Sequence, residues 1–125
     1  MNNLKFRAWD KTAKKMSKVT AIDFSTEPFR VFYKAYGNEN YFNKDVILMQ
    51  STGLFDKYGV EIYEGDIIDV GTRIPFLNKI QRDEETAYLK LVPLDKRWTE
   101  SYFTNFEDKS RYEVVGNIYE NKELI

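Results

Sequence analysis

Four carboxylates fall within nine residues, Glu61, Glu64, Asp66 and Asp69. Clustered carboxylate oxygens bind hard divalent cations and, around a metal pair, support phosphodiester hydrolysis. A carboxylate metal-dependent nuclease is therefore one chemistry this segment raises. The alternation around it argues otherwise. Glu61 stands beside Ile62 and Asp69 beside Ile68, as solvent-facing residues of half-buried strands do, while Glu64-Gly65-Asp66 has the composition of a turn. A second constellation is Lys5, Arg7 and Trp9, which a strand would place on one face, where a cation beside an indole stacks on a base or clamps a peptide. The competing reading has Trp9 covered by another segment of the same fold. A third group, Trp98, Tyr102, Phe103 and Phe106, suits a core or an oligomer contact.

The chain has no histidine and no cysteine among its 125 residues. General-base work would fall to Asp, Glu, Lys or Tyr, and nucleophilic work to Ser, Thr, Lys or a carboxylate, and no pair is marked out by spacing. Gly53, Gly59, Gly65 and Gly116 form no phosphate-loop pattern. The inventory assigns no catalytic residue, no metal ligand and no cofactor, and it points to binding rather than catalysis. The absence of cysteine fits a reducing compartment. No apolar run approaches the ~20 residues needed to cross a bilayer, and the N-terminus lacks the pattern of a signal peptide. A cytoplasmic protein without membrane contact is the expectation.

A net charge of −1 conceals an uneven distribution. Residues 1–18 hold Lys5, Arg7, Lys11, Lys14, Lys15 and Lys18 against Asp10 alone, whereas residues 46–70 hold Asp56, Glu61, Glu64, Asp66 and Asp69 against Lys57 alone. Such complementary regions attract one another within a molecule or between copies. Together with an aromatic content of 16%, hard to hide in so small a domain, they predict a homo-oligomer. The basic end also raises nucleic acid as a partner, although the chain as a whole lacks the basic balance typical of phosphate binders.

The elements that must position these residues read as strands. Leu4, Phe6 and Ala8 alternate with Lys5, Arg7 and Trp9, the period of two of a half-buried strand, and Asp10 to Lys15 reads as a turn. Met16–Phe24 supplies one or two strands, and Phe29–Tyr33 follows Glu27-Pro28 in extended geometry. Residues 36–43, rich in asparagine, read as a loop. Val46–Gln50 is a strand closed by Ser51-Thr52-Gly53. After a turn at Tyr58-Gly59 come strands at Val60–Tyr63 and Ile67–Val70. Gly71–Asn78 reads as a loop, Arg82–Glu85 as a polar turn and Ala87–Val92 as a strand, with room for one short helix between Pro93 and Lys109. Tyr112–Tyr119 is the last strand, with a bulge at Gly116, and residues 120–125 form a tail or final turn. Ile62, Ile67, Val70, Val114 and Ile118 are the expected buried residues.

Three stretches, KFRAWDKTAKKM (Lys5–Met16), LMQSTGLFDKYGVEIYEGDII (Leu48–Ile68) and YEVVGNIYEN (Tyr112–Asn121), resemble in order and spacing the YopX family of small phage and prophage proteins. The resemblance implies an all-β fold whose C-terminal part, residues 46–125, is an SH3-like barrel, with N-terminal strands in residues 1–45 packed on it as one cooperative unit. It implies a phage origin and no established activity. Lys122 stands where the family often has proline, and residues 71–100 depart from the family pattern. That segment is where this member's specificity would reside. The expected function is that of an accessory protein binding a host or phage protein through Arg73, Phe76, Lys79, Arg82 and Trp98, with Lys5, Arg7 and Trp9 as a further contact. Nucleic-acid binding by the basic N-terminal strand is the alternative.

Overall fold

The computed structural model describes residues 5–35, 37–42, 45–103 and 111–125, with backbone alone for residues 39–41. The described chain is all-β, built from antiparallel strands and one closing 3₁₀ turn at Lys122–Leu124. Two compact units divide it, Met1–Gln50 and Ser51–Ile125. Among the described residues no helix is long and apolar enough to cross a membrane.

The first unit contains β1 (Phe6–Asp10), β2 (Lys15–Asp23), β3 (Arg30–Ala35), β4 (Asn38–Phe42) and the first half of β5 (Val46–Phe55), in the spatial order β4-β3-β2-β1-β5. β1 is central: Ala8 lies opposite Ser17 on one side and Leu48 on the other. Alternation places Ala8 in a small core with Val31 and Tyr33, bordered by Val19, Ala35, Val46 and Leu48. Met16–Phe24 resolves into a single strand, and a bulge between Val19 and Ala21 shifts its register against β3. Residues 38–42, expected in a loop, form β4 instead. Asparagine is a poor strand former, but pairing of Phe42 with Phe32, whose rings lie 5.7 Å apart, outweighs that local preference.

In the second unit the end of β5 pairs with β6 (Glu61–Tyr63). β7 (Asp66–Asp69), β8 (Leu77–Arg82), β9 (Leu89–Pro93), β10 (Ser101–Tyr102) and β11 (Glu113–Asn117) form a sheet of order β10-β9-β8-β7-β11. β5 does not stop at Gly53 as its sequence suggests. Gly53 takes φ +79°, and the ladder to β6 is irregular there while the strand continues to Phe55. The side chains of Ser51 and Thr52 hold that irregular stretch, Thr52 Oγ1 donating to the Ile62 carbonyl at 2.7 Å. β8 carries no strand signal of its own, and its first two residues lie inside the expected loop. NKIQR lacks the apolar alternation of a strand, yet Ile80 faces Leu91 within the core.

The second core gathers Ile62, Ile68, Val70, Ile80, Leu91, Phe103 and Tyr112. Ile67 is fully buried as well. Val114 and Ile118, expected to be buried, are half-buried. The reason is the bulge between Val114 and Gly116, which turns the strand out of strict alternation. Gly116 is required by close approach, because a Cβ there would stand 2.5 Å from Asn121 Oδ1. Residues 93–103 contain a turn and β10 and no helix.

The turns share one device. A short polar side chain at the turn's start accepts backbone N–H groups two to four residues on. Asp10 Oδ1 accepts from Thr12 (2.9 Å) and Ala13 (3.0 Å), Asp56 Oδ1 from Tyr58 (2.8 Å) and Val60 (2.9 Å), Asp83 Oδ1 from Glu85 (2.8 Å) and Thr86 (3.2 Å), and Asn117 Oδ1 from Tyr119 (3.0 Å) and Glu120 (2.8 Å).

Candidate functional site

The carboxylates that raised metal chemistry are engaged by the fold. Glu61 accepts the Ser51 hydroxyl and Glu64 pairs with the Arg82 guanidinium. Asp66, 1% exposed, accepts the Tyr63 N–H at 2.8 Å, and Asp69 accepts the Gly71 N–H at 3.0 Å. Asp56 adds a long-range bond, its Oδ2 accepting the Val114 N–H at 2.9 Å. Burial pushes the Asp56 carboxyl upward, but the N–H groups of Val114, Val60 and Tyr58 outweigh it and leave the group below the ordinary carboxylate value. Among the described residues no group of three acidic side chains is arranged to hold a metal.

An open apolar groove of about 660 Å³ lies in the second unit, between the β7–β8 loop and the turn after β9. Leu77 and the half-buried Phe76 line it from β8 and its approach, Ile74 and Pro75 from the loop, and Leu94 and Trp98 from the far side. Its two walls are tied together. Val70 N–H donates to the Phe76 carbonyl at 3.2 Å, closing the loop, and Leu94 N–H donates to the Leu77 carbonyl at 3.0 Å. Gly71 begins that loop at φ +77°, where a Cβ would stand 2.5 Å from Arg111. Phe76 packs against the core on one side and meets Trp98 edge-on at 5.8 Å on the other. Trp98 remains 61% exposed and Ile74 76% exposed, so the groove presents apolar surface to solvent.

The rim carries one ion pair. Arg97 Nε donates to Asp95 Oδ1 at 3.0 Å and its Nη2 donates to Oδ2 at 2.6 Å, a two-pronged geometry. Hydrogen bonding from the Arg97 side chain, then from its backbone N–H, lowers the Asp95 carboxyl to about 2. The two charges answer each other, so the groove offers an occupant little net charge.

The structure thus brings Phe76 and Trp98 together, with Arg73 exposed in the same loop. It does not add Lys79 or Arg82 to them. Lys79 sits on β8 opposite Ile67 and Val92, and Arg82 is engaged by Glu64 and by the Ala87 carbonyl at 2.8 Å. Lys5, Arg7 and Trp9 lie in the first unit, Lys5 exposed and the other two half-buried. Of the aromatic group, Phe103 stacks on Tyr112 in the core at 6.0 Å, and Tyr102 is exposed and meets Tyr88 edge-on at 5.9 Å. Phe106 lies outside the described residues. Sequence reading missed Ile74 and Leu94 as lining residues, although Ile74-Pro75-Phe76, an apolar triplet inside a loop, carried the signal.

No curated protein matches the chain. The crystal structure of protein EF1440 from Enterococcus faecalis is similar over 99% of both chains, with 27% identity and a TM-score of 0.59. The family model described as YopX protein matches residues 5–125, which takes in the opening, middle and closing motifs together. The chain therefore belongs to the YopX family.

Proposed function

We propose that this protein is a small phage- or prophage-encoded accessory protein that acts in the bacterial cytoplasm as a non-enzymatic binding module, and that the groove walled by Phe76 and Trp98 receives an extended, uncharged apolar segment of a host or phage protein. The observation that carries the reading is the exposed Trp98 ring held edge-on against Phe76 over an apolar floor. Rigid aromatic anchors beside a concave apolar surface are the parts of protein interfaces that contribute most binding energy. The Asp95–Arg97 pair on the rim favours an occupant without charge of its own. The second unit, read as an SH3-like barrel, is a scaffold that carries such grooves on its loops, and the groove's residues rather than the fold supply the argument.

Affinity capture from infected or lysogenic cells, comparing the native chain with Trp98→Ala, tests the proposal. Trp98 is exposed, so its removal leaves the thermal midpoint nearly unchanged. The expected result is a captured protein whose retention falls at least tenfold with Trp98→Ala, the loss of an anchor contributing about 2 kcal/mol. Capture indifferent to Trp98 and to Ile74→Ser would remove the groove from the interface.

A further inference from the structure

The β1–β2 hairpin is a surface of one sign. Between Lys5 and Lys18 the only carboxylate is Asp10, and it is 1% exposed. Its Oδ2 accepts the Tyr33 hydroxyl at 2.7 Å, and its Oδ1 accepts the N–H groups of Thr12 and Ala13. The fold has turned that negative charge inward to build the turn. Lys5, Lys11, Lys14, Lys15 and Lys18 are all exposed. Among the described residues Lys11, Lys14, Lys15 and Lys18 form no ion pair. Arg7 and Lys18 stand directly opposite each other in the ladder, which concentrates positive charge at the base of the hairpin. Lys5 and Lys18 also border one shallow hollow of about 390 Å³. The acids around the hairpin leave it basic. Asp23, at the far end of β2, is bound to Arg30 at 2.9 Å, and Asp45, exposed beside the tip with its carbonyl accepting the Lys11 N–H at 3.1 Å, is one carboxylate against five exposed lysines.

We infer that the β1–β2 hairpin binds the phosphate backbone of a nucleic acid, through Lys11, Lys14, Lys15 and Lys18 with Lys5 and Arg7 at the base. Two observations favour that partner over other anions. No large hydrophobic side chain is exposed between residues 5 and 23, and Phe24, 74% exposed, follows the end of β2 away from the lysine-bearing turn, so the tip lacks the apolar anchor that seats a segment in a membrane interface. Its exposed charge is all lysine, which protein interfaces exclude from their centres and phosphate contacts use freely. The contact is to backbone and not to base edges, so it is independent of sequence. It shares no residue with the groove of the second unit and stands apart from the function proposed above.

The experiment is fluorescence anisotropy with the full chain against a labelled 20-base single strand and its duplex, repeated with Lys11→Gln, Lys15→Gln and Lys18→Gln combined. All three side chains are exposed, and an unchanged thermal midpoint shows that the variant is folded. Expected are binding at ~50 mM salt that weakens steeply toward ~200 mM, and at least a tenfold loss in the triple variant, with the log–log salt slope shallower by roughly 0.7 per lysine on the single strand or 0.9 on the duplex. Absence of binding to either probe at the lower salt overturns the inference, as does binding that the triple variant retains in full. Vesicles containing anionic lipid form a further arm. Lysine-dependent capture by vesicles as strong as that by nucleic acid would assign the hairpin to a membrane surface instead.

Discussion

The acidic stretch from Asp56 to Asp69 and the basic hairpin from Lys5 to Lys18 look like mirror images in sequence, and the fold treats them in opposite ways. In the acidic stretch each carboxylate is built into the structure: Asp56, Asp66 and Asp69 accept backbone N–H groups, Glu61 takes a hydroxyl and Glu64 a guanidinium. In the hairpin the single carboxylate is used in the same way, and Lys11, Lys14, Lys15 and Lys18 are left to solvent. The asymmetry follows from side-chain chemistry. Aspartate is short and accepts hydrogen bonds, so it can organise a turn two to four residues ahead of itself. Lysine is long and donates only, and the orphan groups of a tight turn are mostly N–H donors it cannot serve. A cluster of acids in such a chain is first a record of its turns, whereas a cluster of lysines is surplus charge.

That contrast breaks most visibly at Asp56. Asp56→Ala leaves three backbone N–H groups of the second unit without an acceptor, and we expect unfolding free energy to fall by about 3 kcal/mol, read as a lower urea midpoint at unchanged slope. A loss below about 0.5 kcal/mol would mean the carboxylate is no more than a surface charge. Next in size is Tyr33→Phe, which removes the hydroxyl donor from the buried Asp10 carboxylate and is expected to cost about 1–2 kcal/mol.

Acid titration sharpens the comparison. The folded Asp56 carboxyl titrates below its unfolded value of 3.8, so its contribution is fully present above that pH and is lost as pH falls through the lower folded value. Stability of the native chain should therefore decline below pH 3.8. Asp56→Asn should show a shallower decline over the same window. Parallel curves would deny the depressed value. The smallest effect carries the opposite sign. Lys18→Thr relieves the repulsion across from Arg7 and should stabilise by a few tenths of a kcal/mol. Removing charge thus weakens the acidic region and strengthens the hairpin.

The strands that alternate or that follow a clear turn were legible in the residues. Phe6–Asp10 and Glu61–Tyr63 show the period of two, Asp66–Asp69 is marked by the Glu64-Gly65 turn before it although three of its residues in a row are buried, and the Gly116 bulge is signalled by a glycine inside a strand pattern. β4 and β8 were not legible, because Asn38–Phe42 and Leu77–Arg82 become strands through their partners rather than their own preferences. Of the groove, Phe76 and Trp98 could be named in advance as aromatics in the departing segment 71–100. Their contact accompanies the Leu94–Leu77 hydrogen bond across 17 residues, which no local pattern encodes. Lys79 and Arg82 are near the groove in sequence only, since Lys79 pairs across from Ile67 in the sheet and Arg82 is held by Glu64.

β5 has a consequence for the order in which the chain is made. β1 takes β2 as its first neighbour as soon as the hairpin emerges, but its other edge waits for Val46–Gln50, some forty residues later, to pair Phe6 with Gln50 and Asp10 with Val46. Until then a growing chain shows an unsatisfied strand edge, the surface most prone to pairing with a neighbouring chain. The same ladder sets where the polypeptide tolerates a cut. A fragment ending at residue 45 strips β1 of one partner along its whole length, whereas one ending at residue 50 keeps all five registered pairs. Proteolysis or truncation between those two points should separate an aggregating N-terminal piece from a soluble one.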